Sequence, residues 1–360
     1  MPRQHRVTID GATFHAPEGA LLLDAALNAG ITLPYDCRAG HCGTCCVTVV
    51  SGEVQGGKGS ELGVVHACQC RIVADATIER RTHSDVRTVE GSVTSLLHLS
   101  RDIVEVGLAT ERALPHYAGQ YAQVRFKGYP SRPFSITHPL RGDPKSGAIW
   151  FHIRRMKGGH ITPALGKRIK LGHRVTLSGP FGSAHFRPHH GGRLVLVGTN
   201  TGFAPIWSIA VAALRENPNR RIMVIAGGRS LDALYMGPAL ARLARFPNVR
   251  VVPVCSDPRA AAEGLYAGRP NDYLPRLVPT DLVYACGAPG MVETIKSIAE
   301  MAGSTCYADP FLKNADDTLS GRFFARAKGW WTSPAARSES ERPYDRSRHR
   351  RTAEPSLYNE

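Results

Sequence analysis

Three cysteines near the start of the chain carry the clearest chemistry. Cys37, Cys42 and Cys45 stand as Cys-x4-Cys-x2-Cys inside YDCRAGHCGTC, and a fourth follows at Cys68. This is the plant-type spacing for a [2Fe–2S] cluster, where four thiolates hold two irons and the fourth comes from farther along. Gly40 and Gly43 interleave the cysteines. A loop wrapped round a cluster needs backbone angles closed to bulky residues, and glycine supplies them. A zinc site usually shows paired Cys-x2-Cys units, and only one such pair is present. Cys46 adjoins the third cysteine and Cys70 lies two residues past Cys68, so the residues alone leave Cys68 and Cys70 both open as the fourth ligand.

Four more segments pair residue types with a use. Arg132-Pro133-Phe134-Ser135 offers a guanidinium for phosphate, a ring for isoalloxazine and a hydroxyl for a ring nitrogen, the set that grips a flavin. Arg154 and then Gly158-Gly159-His160-Ile161-Thr162 stand where a helix can start. Glycines before a helix N-terminus expose N–H groups that suit a pyrophosphate, although an ordinary hairpin turn reads the same way. Gly198-Thr199-Asn200-Thr201-Gly202-Phe203-Ala204-Pro205 follows an apolar strand and precedes a helix, the context of a phosphate-cradling loop at a sheet edge. It lacks the third glycine of the standard dinucleotide fingerprint. Cys286-Gly287 is a small turn after a core strand, where a flat ring can approach, or where a thiol is simply buried. After the second α/β strand, Arg229 suits a 2′-phosphate and Asp232 suits a free ribose hydroxyl.

These sites need elements to hold them. The chain has 360 residues, enough for two or three domains, and 42% hydrophobic residues, enough for real cores. Its formal net charge of +15 fits an acidic partner, and no nucleic-acid-binding motif accompanies it. No run of about twenty apolar residues is present, and MPRQHRVTID leads straight into strand-like alternation, so no membrane contact and a cytoplasmic location are expected. Nine cysteines, an odd count clustered at a metal-type motif, argue against a disulfide framework.

Alternation and turn residues divide the chain. Residues 1–85 read as a small β-grasp domain. It has a hairpin turning at Asp10-Gly11, a helix over Leu21–Asn28, and strands over Cys46–Ser51 and Arg71–Arg80. A polar linker is expected over Glu79–Val86. Residues 86–188 read as a six-stranded antiparallel β-barrel, with strands at Arg87–Ser95, Ile103–Ala109, Tyr121–Phe126, Ala148–Arg154 and Arg174–Ser178 and with Arg132–Ser135 at a strand end. Residues 189–313 alternate strand and helix, which predicts a parallel α/β domain, with helices over Ala204–Leu214, Leu231–Ala244 and Pro289–Met301. Residues 314–360 lack periodicity and read as a disordered tail.

Taken in order, the strings AGQYAQV, RPFS, FHIRRMKGGHIT, LSGPFG, VGTNTGFAPIWSI, LVYACGAPGMVE and CYADPF, with the cysteine loop, resemble one family. This is the reductase component of bacterial ring-hydroxylating dioxygenases, of the naphthalene dioxygenase type, over about residues 5–313. The resemblance implies a plant-type ferredoxin domain joined to a ferredoxin-reductase-like FAD/NAD module. It implies Cys37, Cys42, Cys45 and Cys68 as cluster ligands, Cys68 because Ala67-Cys68-Gln69 matches the family string. Arg132, Pro133, Phe134 and Ser135 would hold FAD, with Arg154, Gly158, Gly159 and Thr162 around its pyrophosphate. Gly198, Thr199, Thr201, Gly202, Arg229 and Gly287 would hold NADH. Cys286, Phe311 and Ser135 would stand at the hydride-transfer centre, with Tyr307 as a second aromatic candidate.

The implied reaction takes a hydride from NADH onto FAD and sends electrons singly through the cluster. The acceptor would be a separate Rieske ferredoxin or terminal oxygenase with an acidic docking face. A reductase for a di-iron hydroxylase or a deoxysugar dehydratase, or a ferredoxin-like carrier or redox sensor with a degenerate reductase module, remains as an alternative. The chain departs from the family in three ways besides its tail over 315–360, which the family does not usually carry. Only 22 residues separate Cys45 from Cys68, as if a helical turn were lost; Phe134 replaces the commoner Tyr; and Asn200 replaces a Gly.

Overall fold

The computed structural model describes residues 3–31, 33–35, 38, 40, 43–58, 62–81, 86–140, 147–156, 161–257 and 264–311. Cys37, Cys42, Gly158, Gly159 and the 314–360 tail therefore lie outside the described residues.

The N-terminal layer is built on hydrophobic alternation. Strands β1 (Gln4–Ile9) and β2 (Ala12–Pro17) form the hairpin expected at Asp10-Gly11, whose φ angles of 47° and 84° are those a two-residue primed turn requires. Helix α1 (Leu22–Asn28) buries Leu22, Leu23 and Ala26, and Gly30 ends it in the left-handed region. Strands β3 (Cys46–Lys58) and β4 (Val64–Arg80) are both longer than the alternation suggests, and their pairing register shifts repeatedly. The supposed linker thus begins inside β4. The sheet order is β2-β1-β4-β3, with β1 and β4 parallel.

Six antiparallel strands then close a barrel in the order β10-β5-β6-β9-β8-β7. They are β5 (Arg87–His98), β6 (Ile103–Thr110), β7 (Tyr121–Phe126), β8 (Arg132–Thr137), β9 (Ala148–Arg154) and β10 (Arg174–Phe181). Arg132–Ser135 does not end a strand, as expected, but opens one. Proline is tolerated near a strand's first residue, which accommodates Pro133. Val106, Leu108, Val124, Phe126, Phe151 and Leu177 are fully buried inside the barrel. Each such side chain stabilises the fold by about 1.5–3 kcal/mol.

The last layer is a six-stranded, wholly parallel sheet in the order β14-β13-β12-β11-β15-β16. Its strands are β11 (Leu194–Thr199), β12 (Ile222–Gly228), β13 (Val249–Cys255), β14 (Tyr266–Ala267), β15 (Leu282–Gly287) and β16 (Thr305–Pro310). Its helices are α2 (Phe203–Glu216), α3 (Gly237–Leu243) and α4 (Pro289–Met301). The helix expected over Leu231–Ala244 is instead a 3-10 turn at Leu231–Ala233 followed by α3. Pro238 is the reason: proline has no N–H to donate and fits only a helix's first turn, so the helix starts at Gly237. Strand β11 is an interior strand, so the loop after it lies at the sheet's carboxyl end and not at an outer edge.

The barrel and the parallel sheet share one apolar core. Ile103, Leu140 and Phe186 pack in the same cluster as Leu196, Phe203 and Tyr284. A buried polar group spans the same seam. The Leu140 N–H donates to Glu105 Oε2 at 2.8 Å, and His152 Nδ1 meets the Tyr235 hydroxyl at 3.1 Å. Among the described residues, no helix is long and apolar enough to cross a membrane.

Candidate functional site

Two of the four cysteines expected to hold the cluster are described. Cys45 and Cys68 are both buried, and the Ala67 N–H donates to the Cys45 carbonyl at 3.0 Å, so Cys45, in the turn that leads into β3, lies beside Cys68 on the neighbouring β4. On the other side of Cys68, Gln69 Nε2 donates to the Arg38 carbonyl at 2.7 Å. The loop is thus clamped to β4 at the residues flanking Cys68. Gly40 and Gly43 adopt φ of 72° and 73°, as a tight loop needs. Cys70 is fully buried, pairs with Gly56 and lies one strand period deeper, about 7 Å along β4. Between Cys45 and Cys68 the described residues are strand apart from the turn at Leu62 and Gly63, with no helical turn among them, in keeping with the short span.

Ser135 pairs with Tyr121 and Phe134 with Ala122 across β7 and β8. Arg132 begins β8 and Arg154 ends the antiparallel neighbour β9, so the two arginines come to the same end of the pair. Thr162 opens a 3-10 turn, not a regular helix, and its Oγ1 accepts from the Met156 N–H at 2.8 Å. The strand period of two puts Ser135 on the same face as Thr137. Thr137 Oγ1 donates to the Ala204 carbonyl, in the first turn of α2, at 2.8 Å. The flavin-type strand therefore abuts the start of the helix that follows the glycine loop.

That loop has little room for side chains. A Cβ at Gly202 would come within 2.3 Å of the Cys286 carbonyl oxygen, and one at Gly198 within 3.0 Å of Phe203 Cα. Asn200 has φ of 51°, the left-handed conformation that asparagine tolerates in place of glycine. Strands β11 and β15 are neighbours, and connections leave β11 in one direction and β15 in the other. This is the switch point where open α/β sheets bind ligands. The two loops are tied together, since the Ala288 N–H donates to Thr199 Oγ1 at 2.9 Å. Helix α2 has no side-chain cap, so its first N–H groups and positive dipole end face this crevice.

Cys286 contributes its backbone to the crevice and its thiol to the core; the side chain is fully buried and burial pushes the thiol well above its ordinary range. Phe311 is pinned beside it, its N–H donating to the Gly287 carbonyl at 2.8 Å. Arg229 and Asp232 are exposed just past the end of β12. Tyr307 is held elsewhere, with its ring stacked 5.3 Å from Tyr284 and the Arg187 guanidinium 4.6 Å above it. His138, on the barrel side of the seam, is held neutral to about 4 by burial and by Arg215, His116 and Arg242. Burial likewise lowers His152, against the pull of Glu105.

The sequence reading singles out neither Thr137 nor the buried pair Thr44 and Tyr121, whose hydroxyls meet at 2.5 Å. Tyr121 lies inside AGQYAQV and Thr44 inside the cysteine loop, but nothing in their spacing shows that they touch.

Comparison with known proteins finds three family models in chain order. They are a 2Fe-2S iron-sulfur cluster binding domain over residues 7–73, an oxidoreductase FAD-binding domain over 90–186 and an oxidoreductase NAD-binding domain over 196–297. A Ralstonia protein, the reductase component of naphthalene 1,2-dioxygenase/salicylate 5-hydroxylase systems, is 33% identical over 81% of this chain and 92% of its own length. The Pseudomonas putida naphthalene 1,2-dioxygenase system reductase component is 31% identical over 81% of this chain and 94% of its own. Among solved structures, the Amycolatopsis cytochrome P450 reductase GcoB aligns with a TM-score of 0.61 and 29% identity, over 85% of this chain and 99% of that one.

Proposed function

The chain belongs to the reductase components of aromatic-ring oxygenase systems, and on that premise we propose which of its residues carry electrons from NADH to the partner. Cys37, Cys42, Cys45 and Cys68 hold the [2Fe–2S] cluster. Arg132, Pro133, Phe134 and Ser135 hold FAD, with Arg154, Gly158, Gly159 and Thr162 at its pyrophosphate. Gly198, Thr199, Thr201, Gly202, Arg229 and Gly287 hold NADH, and Cys286, Phe311 and Ser135 surround the hydride-transfer centre. We set the domain limits at 85, 188 and 313.

When bound, FAD supplies conversion between two-electron and one-electron chemistry, and the cluster supplies a one-electron exit. The residues supply position. Gly198 and Gly202 let backbone N–H groups and the α2 dipole approach a pyrophosphate. Thr137, through its bond to the Ala204 carbonyl of α2, keeps the strand that carries Ser135 against the nucleotide crevice. The apolar seam excludes water from the space between. Asp232 favours the free ribose hydroxyl of NADH. The reading rests above all on the two crowded glycines, Gly202 and Gly287, which bring the β11 and β15 loops into backbone contact at the sheet's switch point.

The immediate acceptor is a separate ferredoxin or oxygenase component. With a net charge of +15, this chain fits an acidic docking face on that partner. An anaerobic NADH titration followed by visible absorption and EPR tests the assignment. Flavin bleaching together with a rhombic [2Fe–2S] signal is expected. Purified protein that retains no flavin would sink it.

A further inference from the structure

Electrons must cross from the barrel to the N-terminal layer, and one polar contact between them is buried. We propose that the Thr44–Tyr121 hydroxyl pair is a positioning device that seats the cluster loop on the flavin barrel and sets the rate at which electrons pass between the two cofactors. The proposal rests on the reductase assignment above and adds to it residues outside the set that holds either cofactor.

Thr44 lies between Cys42 and Cys45 and is joined to Cys45 by one peptide bond. It is 5% exposed, Tyr121 is 4% exposed, and their oxygens lie 2.5 Å apart. Two hydroxyls withdrawn from water each need a partner, and here each serves the other. The barrel side is shaped to receive the loop. Tyr121 opens β7 directly opposite Ser135, and its ring lies 5.6 Å from that of Phe181 at a tilt of 33°. A Cβ at Gly182 would sit 3.1 Å from Tyr121 Cδ1, so glycine there leaves the ring its place. On the loop side, a Cβ at Gly43 would lie 3.9 Å from Ser183 Cβ, so the backbones come close with little side chain between them.

A short route follows from this seat. It runs from Ser135 across one strand pairing to Tyr121, through one hydrogen bond to Thr44, and along one peptide bond to Cys45. In the step it serves, the flavin is oxidised by one electron and the cluster is reduced by one. No bond to Thr44 or Tyr121 forms or breaks. Electron transfer falls steeply with separation, so a loosened seat slows this step and leaves hydride transfer alone.

The test compares Tyr121→Phe, Thr44→Val and Thr44→Ser holoproteins with wild type. Amide hydrogen exchange over residues 43–46 and 119–123 reads the seat without turnover. Anaerobic stopped-flow mixing with NADH reads flavin bleaching and cluster reduction separately. For Tyr121→Phe and Thr44→Val, faster exchange and about tenfold slower cluster reduction are expected, the size of one lost buried hydrogen bond. Flavin bleaching stays at the wild-type rate, and Thr44→Ser, which keeps the hydroxyl, restores both readouts. Wild-type exchange and wild-type cluster reduction in Tyr121→Phe would overturn the proposal, as would a Thr44→Ser protein that behaves like Thr44→Val. Should Thr44→Val lose iron, Tyr121→Phe, which leaves the cysteine loop intact, decides alone. Failure of NADH to bleach flavin in the wild type would strike the reductase assignment instead.

Discussion

At the scale of single residues, the crowded glycines make the sharpest distinction between structure and chemistry. Gly202→Ala drives a methyl into the Cys286 carbonyl, and strain of this kind typically costs about 1–3 kcal/mol. The KM for NADH is expected to rise about tenfold or more. Gly290→Ala, in the first turn of α4 with open space around its Cβ, is the control and leaves KM unchanged. The cysteines separate in the same way. Cys68→Ser is expected to abolish the EPR signal. Cys70→Ala keeps the signal and lowers stability by about 1 kcal/mol, the transfer cost of a small buried group. Residue types foretold much of this. The Gly40 and Gly43 angles and the left-handed Asn200 were legible because each follows from what one residue's backbone tolerates. The Thr44–Tyr121 contact was not, because it joins positions 77 apart and depends on how two layers meet.

At the scale of elements, period and punctuation carried most of the fold. Asp10-Gly11 announced its hairpin and Pro289 opened α4 at the expected residue. The failures have local causes. Pro238 moved the start of α3, and β4 ran on into Glu79 and Arg80, whose polarity suggested a linker, because their backbones pair with Thr48 and Val47 of β3. The seam between barrel and parallel sheet was illegible, since its members come from β6, β8, β9, α2 and α3. It gives the protein a pH dependence. His138 titrates at about 4 in the fold against 6.5 ordinarily. As pH falls, the unfolded chain takes up the proton first, so stability is full above about 6.5 and is lost down to about 4. His152 is lowered too and acts in the same direction. Between pH 6.5 and 4, Tm is expected to fall roughly 2–4 °C further in wild type than in His138→Asn, measured by thermal unfolding.

At the scale of the whole molecule, charge governs the encounter and packing governs what is accessible. A chain of net charge +15 meets an acidic acceptor faster than a neutral one. Its rate of reducing an acidic ferredoxin is expected to drop about tenfold or more between low and high salt, while reduction of an uncharged quinone stays level. Stopped-flow rates across ionic strength check this. The complete burial of Cys286 has another consequence, for covalent reagents. An alkylating agent reaches this thiol only when the parallel sheet's crevice opens, so its modification is a clock for that breathing motion. Iodoacetamide labelling read by peptide mass is expected to plateau at a rate independent of reagent concentration, and to slow further with NAD bound, because a ligand that favours the closed form makes each opening rarer. A thiol unsuited to attack anything at rest thereby becomes a built-in reporter of how often the molecule relaxes its grip.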